Sequence, residues 1–163
     1  MIEPPRMADS KAQAAAVIHL TMPRDQIQRF MEPAIEELKA AFSEQGWEEA
    51  GPLFSHHLTL SSETFDFEVG IPVKGRVHPV GRVNPGELPA AQVARTIYHG
   101  PYEGLFSAWD EFGKRVTAEL GELIAGEGLE RSQTLWECYI SGPESNPDPS
   151  TWQTELNLPF VKE

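Results

Sequence analysis

One pattern that occurs twice constrains this chain more than any other feature. Glu68-Val69-Gly70-Ile71-Pro72-Val73 and Glu155-Leu156-Asn157-Leu158-Pro159-Phe160 share the order glutamate, aliphatic, any residue, aliphatic, proline, apolar. Upstream of each copy lies a matching strand, with Leu53-Phe54-Ser55-His56-His57-Leu58 over Leu135-Trp136-Glu137-Cys138-Tyr139-Ile140. Before each strand stands an amphipathic helix pattern. In the first half Ile27, Phe30, Met31, Ile35, Leu38 and Phe42 recur at helical spacing; in the second half Leu105, Trp109, Phe112, Val116, Leu120, Leu123 and Ile124 do so. Each half therefore reads β-α-β-β, and a sheet of three strands is marginal alone. The predicted fold is α+β. Two duplicated half-modules, related by a pseudo-twofold, form antiparallel sheets with helices on one face and a ligand cleft on the other.

In chain order, residues 1–13 read as a disordered N-terminal tail and 14–162 as a single domain. The half-modules run from about 14–73 and 86–160, joined by a Gly/Pro/Val linker over Lys74–Pro85. Ala14–Leu20 is the first strand. Pro33 is expected to kink or split the first helix, and Gly46 to end it. Ser61-Ser62-Glu63-Thr64 is a hairpin loop. In the strand Phe65–Val73 the odd positions face the core while Asp66, Glu68 and Gly70 face away. Strand Ala91–His99 opens the second half, and Gly126 and Gly128 close its helix.

Charge and cysteine usage exclude several functions. The net charge of −12 argues against binding a phosphate backbone and favours cationic small molecules or a basic protein partner. No apolar run is long enough to span a membrane, and a signal peptide is not seen, so a cytoplasmic location is expected. Cys138 stands alone, without a second cysteine for a disulfide or a zinc cluster, and nothing near it in sequence would activate it. His56 and His57 are adjacent in a strand and point to opposite faces, so no metal site is expected. Phosphate-binding glycine loops and nucleophile elbows are absent, and no cofactor is called for.

The candidate site is built around Glu137. Alternation places it on one face with Leu135 and Tyr139, and Trp136, Cys138 and Ile140 on the other. A carboxylate in apolar company is costly to bury without a partner. The apolar set is assigned to the helix side, which leaves Glu137 and Tyr139, with their repeat equivalents Ser55 and His57, on the side away from the helix. Glu68 and Glu155 are placed on that same side. Tyr98 and Tyr102 flank the turn at His99-Gly100-Pro101 and reach towards the cleft mouth. Trp152 either closes the pocket or packs under the helix. Trp109, Phe112 and Phe106 are read as core. The ligand-binding set is thus Glu137, Tyr139, His57, Ser55, Tyr98, Tyr102 and Trp152.

Glu87-Leu88-Pro89-Ala90, His99-Gly100-Pro101-Tyr102-Glu103, Leu135-Trp136-Glu137-Cys138-Tyr139 and Trp152-Gln153-Thr154-Glu155-Leu156 through Pro159 resemble the GyrI-like small-molecule-binding family. That family includes the effector-binding domains of AraC- and MerR-type multidrug-sensing activators. The likeness runs from about Ala14 to Phe160, and it implies a duplicated β-α-β-β fold with a strand glutamate, here Glu137, that contacts cationic aromatic ligands. His57 stands where the family often has tyrosine. No helix-turn-helix segment is found, so the resemblance implies a free-standing sensor-type domain without direct DNA binding. It also implies two rivals to simple binding. One is hydrolysis of reactive cyclopropane-bearing natural products, with Glu137 activating water or steadying the developing positive charge and Tyr139 or His57 donating or relaying a proton. The other is docking on a protein partner, a regulator or DNA gyrase.

Overall fold

A computed structural model of the chain describes residues 1–60 and 63–162. Ser61 and Ser62 of the expected hairpin loop lie outside the described residues. The elements follow in order: β1 (Arg6–Ser10), β2 (Gln13–Pro23), α1 (Ile27–Gln45), β3 (Glu48–Glu49), β4 (Phe54–Leu60), β5 (Thr64–Lys74) and β6 (Asn84–Leu88). Then come β7 (Ala91–His99), α2 (Leu105–Gly126), β8 (Leu129–Arg131), β9 (Leu135–Ser141) and β10 (Gln153–Lys162). The chain forms two compact units, Lys11–Ala90 and Met1–Ser10 with Ala91–Glu163, called here the first and second units.

In the first unit antiparallel pairing gives the strand order β4-β5-β2-β6, with β3 on the far end of β5. Alternation holds along β5: Phe67, Val69, Ile71 and Val73 are buried against Ala34, Leu38, Ala41 and Phe42 of α1. Those four helix positions recur at three- and four-residue steps, the spacing of one face. β2 adds Ala16, Ile18, Leu20 and Met22 from the same side of the sheet. Gly46 ends α1 in the left-handed region (φ 70°), and its N–H donates to the Phe42 carbonyl. A non-glycine residue is disfavoured there by its Cβ. Pro33 does not split the helix. The carbonyl it leaves without an intrahelical donor belongs to Arg29, which is exposed.

The second unit repeats this plan as β9-β10-β7-β1, with β8 on the far end of β10. Its core joins Leu156, Leu158 and Phe160 of β10, Ala94 and Tyr98 of β7, and Ala108, Phe112, Val116 and Ile124 of α2.

The repeated prolines now have a structural reason. In an antiparallel strand one residue presents its N–H and C=O to the same neighbour. The Pro72 carbonyl accepts from Ala50 N–H, and that of Pro159 from Ser132 N–H, each at 2.9 Å. Both prolines thus face the gap where one partner strand stops and the next begins: β4 to β3 beside β5, and β9 to β8 beside β10. The ladder needs no donor from the strand at that point, and proline has none to give.

Two expectations are corrected. Residues 6–10 are not a disordered tail: β1 pairs with β7 from Arg6↔Arg95 to Ser10↔Ala91, Ile2 is buried against the second core, and Thr96 Oγ1 donates to the Glu3 carbonyl at 2.6 Å. An edge strand is held mainly by backbone hydrogen bonds, which leave little trace in side-chain pattern. Nor is Lys74–Pro85 simply a linker, because Val80 bridges Val83, Val83 is fully buried in the first core, and β6 pairs with β2. The strand preceding each β-α-β-β copy therefore pairs with the first strand of the other copy, β1 with β7 and β6 with β2.

Candidate functional site

The site is built within the second unit. Glu137 lies in β9 directly opposite Leu156, and Tyr139 opposite Thr154. Leu156 packs in the α2 core, so Glu137 and Tyr139 are on the helix side of the sheet, and Trp136, Cys138 and Ile140 are on the other. The predicted alternation holds, but the side assigned to the helix is reversed. Trp136 is buried on the far side as fully as any core residue, so apolar content could not tell which face the helix covers. In the first unit the same reversal applies. Ser55 is opposite Val69 and His57 opposite Phe67, both on the α1 side.

Glu137 is 8% exposed. Its Oε1 accepts from the indole Nε1–H of Trp109, on the second turn of α2, at 2.6 Å, and its Oε2 accepts from the Tyr139 hydroxyl at 2.9 Å. No cation pairs with it among the described residues. Burial raises its pKa above the ordinary carboxyl range, and the two donors oppose that shift without cancelling it. Trp109 was assigned to the core from its helical spacing, and it does pack there. Its second role was missed; the available signal was that a buried indole N–H requires an acceptor. Phe112 is core as expected, whereas Phe106, 75% exposed, is not.

Two further aromatic rings lead on from Tyr139. Tyr102, in the single 3-10 turn Tyr102–Gly104 that leads into α2, meets Tyr139 edge-on at 5.8 Å and Trp152 at 5.0 Å between ring centroids. Trp152 is half-buried, and its indole N–H is fixed by the Asn146 carbonyl at 2.7 Å. The Tyr102 hydroxyl pKa is raised by burial first, then by Glu144 and Glu137. Four of the seven predicted ligand residues, Glu137, Tyr139, Tyr102 and Trp152, are therefore brought together.

Of the other three predicted residues, Tyr98 belongs to the second unit and Ser55 and His57 to the first. Tyr98 is buried, and its hydroxyl donates to the Pro101 carbonyl at 2.8 Å, fixing the turn before α2. A Cβ on Gly104 would collide with that hydroxyl, which explains the glycine. Ser55 and His57 are buried in the first unit, where His57 stacks on Phe67 with ring centroids 5.1 Å apart. Its imidazole pKa is lowered to about 4 by burial first, then by His56 and Arg24.

On the far side of the second sheet Arg95 donates to Asn157 at 2.7 Å, Asn157 donates to Glu155 at 3.0 Å, and Arg95 pairs with Glu155 at 3.5 Å. Glu155 is thus partnered, while Glu68 has a pKa raised mainly by burial. The Cys138 thiol pKa is pushed up to about 12, chiefly by burial and then by Glu155, which keeps it protonated and unreactive. Among the described residues no group of His, Cys, Asp or Glu is arranged to hold a metal, and no helix is long and apolar enough to cross a membrane.

The chain belongs to the GyrI-like small molecule binding domain family, whose model matches residues 3–161. The fold is shared with the C-terminal domain of EcmrR at a TM-score of 0.76, with 18% identity over 98% of both chains. In a cryo-EM structure of an EcmrR–DNA complex, 99% of this chain matches but spans only 58% of the EcmrR chain, again at a TM-score of 0.76 and 18% identity. A crystal structure of a hydrolase from Listeria innocua matches at a TM-score of 0.65 and 14% identity, over 96% of this chain and 91% of that one. SAV2435 bound to tetraphenylphosphonium matches at 0.61 and 11% identity, over 96% and 93%. No curated protein matches the chain in sequence.

Proposed function

We propose that the second unit binds amphipathic, aromatic, cationic small molecules, for sensing or sequestration in the cytoplasm. Glu137 supplies the countercharge, and Tyr139, Tyr102 and Trp152 supply ring contacts. The observation that carries this reading is the state of Glu137: buried and held by two neutral donors, with no cation paired to it among the described residues. Such an acid is poised to gain from a cation, because the ionised form then recovers in Coulomb energy what burial removes. Aromatic faces add cation–π attraction. The related fold that holds tetraphenylphosphonium, a bulky aromatic cation, supports the ligand class.

Titration calorimetry with tetraphenylphosphonium tests this. Glu137→Gln is expected to weaken binding by about tenfold or more; equal affinity in the two proteins removes Glu137 from the mechanism. The sign of the pH dependence follows from the raised pKa. Cation binding favours the carboxylate, so it releases a proton, and affinity rises with pH from the ordinary carboxyl range up to the raised value. Glu137→Gln should flatten that rise.

A second reading, hydrolysis of electrophilic cyclopropane compounds, is favoured by the same raised pKa, which suits a general acid or base, and by the hydrolase among the similar folds. Here Glu137 would handle the proton and Tyr139 would orient it. Turnover of such a substrate that disappears in Glu137→Gln is the expected signature; intact substrate after long incubation rejects it.

A further inference from the structure

The two units differ at one position that the binding reading does not use. By the repeat, Phe65-Asp66-Phe67 lies over Trp152-Gln153-Thr154. In the first unit Phe67 is fully buried opposite His57, and its ring stacks on the imidazole. The second unit places Thr154 there, opposite Tyr139, a loss of one phenyl ring from the helix side of the sheet. The ring that meets both Tyr139 and Trp152 instead comes from Tyr102, which belongs to a turn and is 37% exposed.

Thr154 is 0% exposed, and its Oγ1 has no hydrogen-bond partner among the described residues. Its two cross-strand neighbours use their hydroxyls elsewhere, Tyr139 for Glu137 and Tyr98 for the Pro101 carbonyl. Valine would fill the same volume with no polar atom to desolvate, so for folding alone the hydroxyl is a liability. Its position gives it a use. Thr154 is the diagonal neighbour of Glu137 across β9 and β10 and lies on the same side of the sheet, within reach of one ligand that spans both.

Resting on the binding reading above, we propose that the Thr154 hydroxyl is a second polar anchor for the ligand. It accepts a hydrogen bond from a ligand N–H while Glu137 neutralises the charge. The site then prefers aromatic cations that carry amine donors over equally flat cations that lack them, because only a donor gives the hydroxyl the partner it lacks in the free protein.

Two acridine dyes with one ring system separate these classes: proflavine carries exocyclic amino groups, and acridine orange carries the same nitrogens fully methylated. Calorimetric affinities for both dyes are compared in wild type, Thr154→Val and Thr154→Ser. The proflavine preference is expected to fall about tenfold in the valine variant and to survive in the serine variant. The ligand-free Tm of Thr154→Val should equal or exceed that of wild type. An unchanged preference in Thr154→Val overturns the proposal, and so does a lowered Tm, which would show the hydroxyl serving the fold. If Glu137→Gln loses affinity for both dyes while Thr154→Val keeps the preference, only the Thr154 assignment fails. If wild type binds neither dye, the binding reading fails and takes this proposal with it.

Discussion

The same four positions hold Ser55, His57, Phe65 and Phe67 in the first unit and Glu137, Tyr139, Trp152 and Thr154 in the second. In the first unit three of them form an aromatic cluster drawn entirely from the sheet: His57 lies 5.1 Å from Phe67 and 5.3 Å from Phe65. In the second unit the corresponding place holds an acid, its two donors and a buried hydroxyl, and a ring is brought in from a turn. The first copy fills this place mainly with stacked rings, whereas the second keeps a carboxyl and a hydroxyl where packing would prefer carbon.

The largest effect should come from forcing the first unit to resemble the second. Ser55→Glu would bury a carboxylate opposite Val69 without an indole donor in the equivalent place, and a loss of roughly 3–5 kcal/mol at neutral pH is expected. The loss should shrink in acid, because a buried carboxyl with a raised pKa destabilises only above its unfolded pKa. Urea midpoints at pH 7 and pH 4 measure both; a variant as stable as wild type at pH 7 would show that Ser55 has access to water or to a cation.

Next in size is the pH response of His57. Its folded pKa is about 4 against an ordinary value of 6.5, so the unfolded chain binds more protons between these limits and stability rises with pH across that window. The contribution is roughly 3 kcal/mol, and His56, also lowered by burial, adds the same sign. His57→Phe keeps a ring on Phe67 and should flatten most of this dependence. A slope identical to wild type would mean that the imidazole titrates in contact with water.

The smallest effect sharpens the acid site itself. Trp109→Phe deletes one donor to Glu137 and keeps most of the core packing, at an expected cost of about 1–2 kcal/mol near neutral pH. It should also raise the Glu137 pKa further, since a hydrogen bond that favours the carboxylate is gone. Carboxyl titration by NMR reads that directly, and a downward shift would refute the role given to the indole.

Much of this is legible in the sequence. The duplicated proline pattern, the helix faces, Gly46 as a terminator and the alternation of β5 and β9 all follow from local periodicity, which survives in sequence because each element buries one stripe. The reversal at β9 shows the limit of that logic. Leu135, Glu137 and Tyr139 share a face by geometry, but Trp136 and Cys138 are buried too, so burial preference could not choose the helix side. β1 is not legible in the sequence because edge pairing is written in backbone hydrogen bonds, and Arg6-Met7-Ala8-Asp9-Ser10 carries little alternation to announce it.

What the sequence determined by itself was the repeat, the element order and the presence of one acid among apolar strand neighbours, because these depend on residues near one another along the chain. Tertiary structure alone decided that Glu137 lies beneath α2, that Trp109, 28 residues away, is its donor, and that Tyr102 supplies a ring where the first unit uses Phe67. Hydrogen bonds and ring contacts between distant segments depend on how helix and sheet are docked, and no local pattern encodes that.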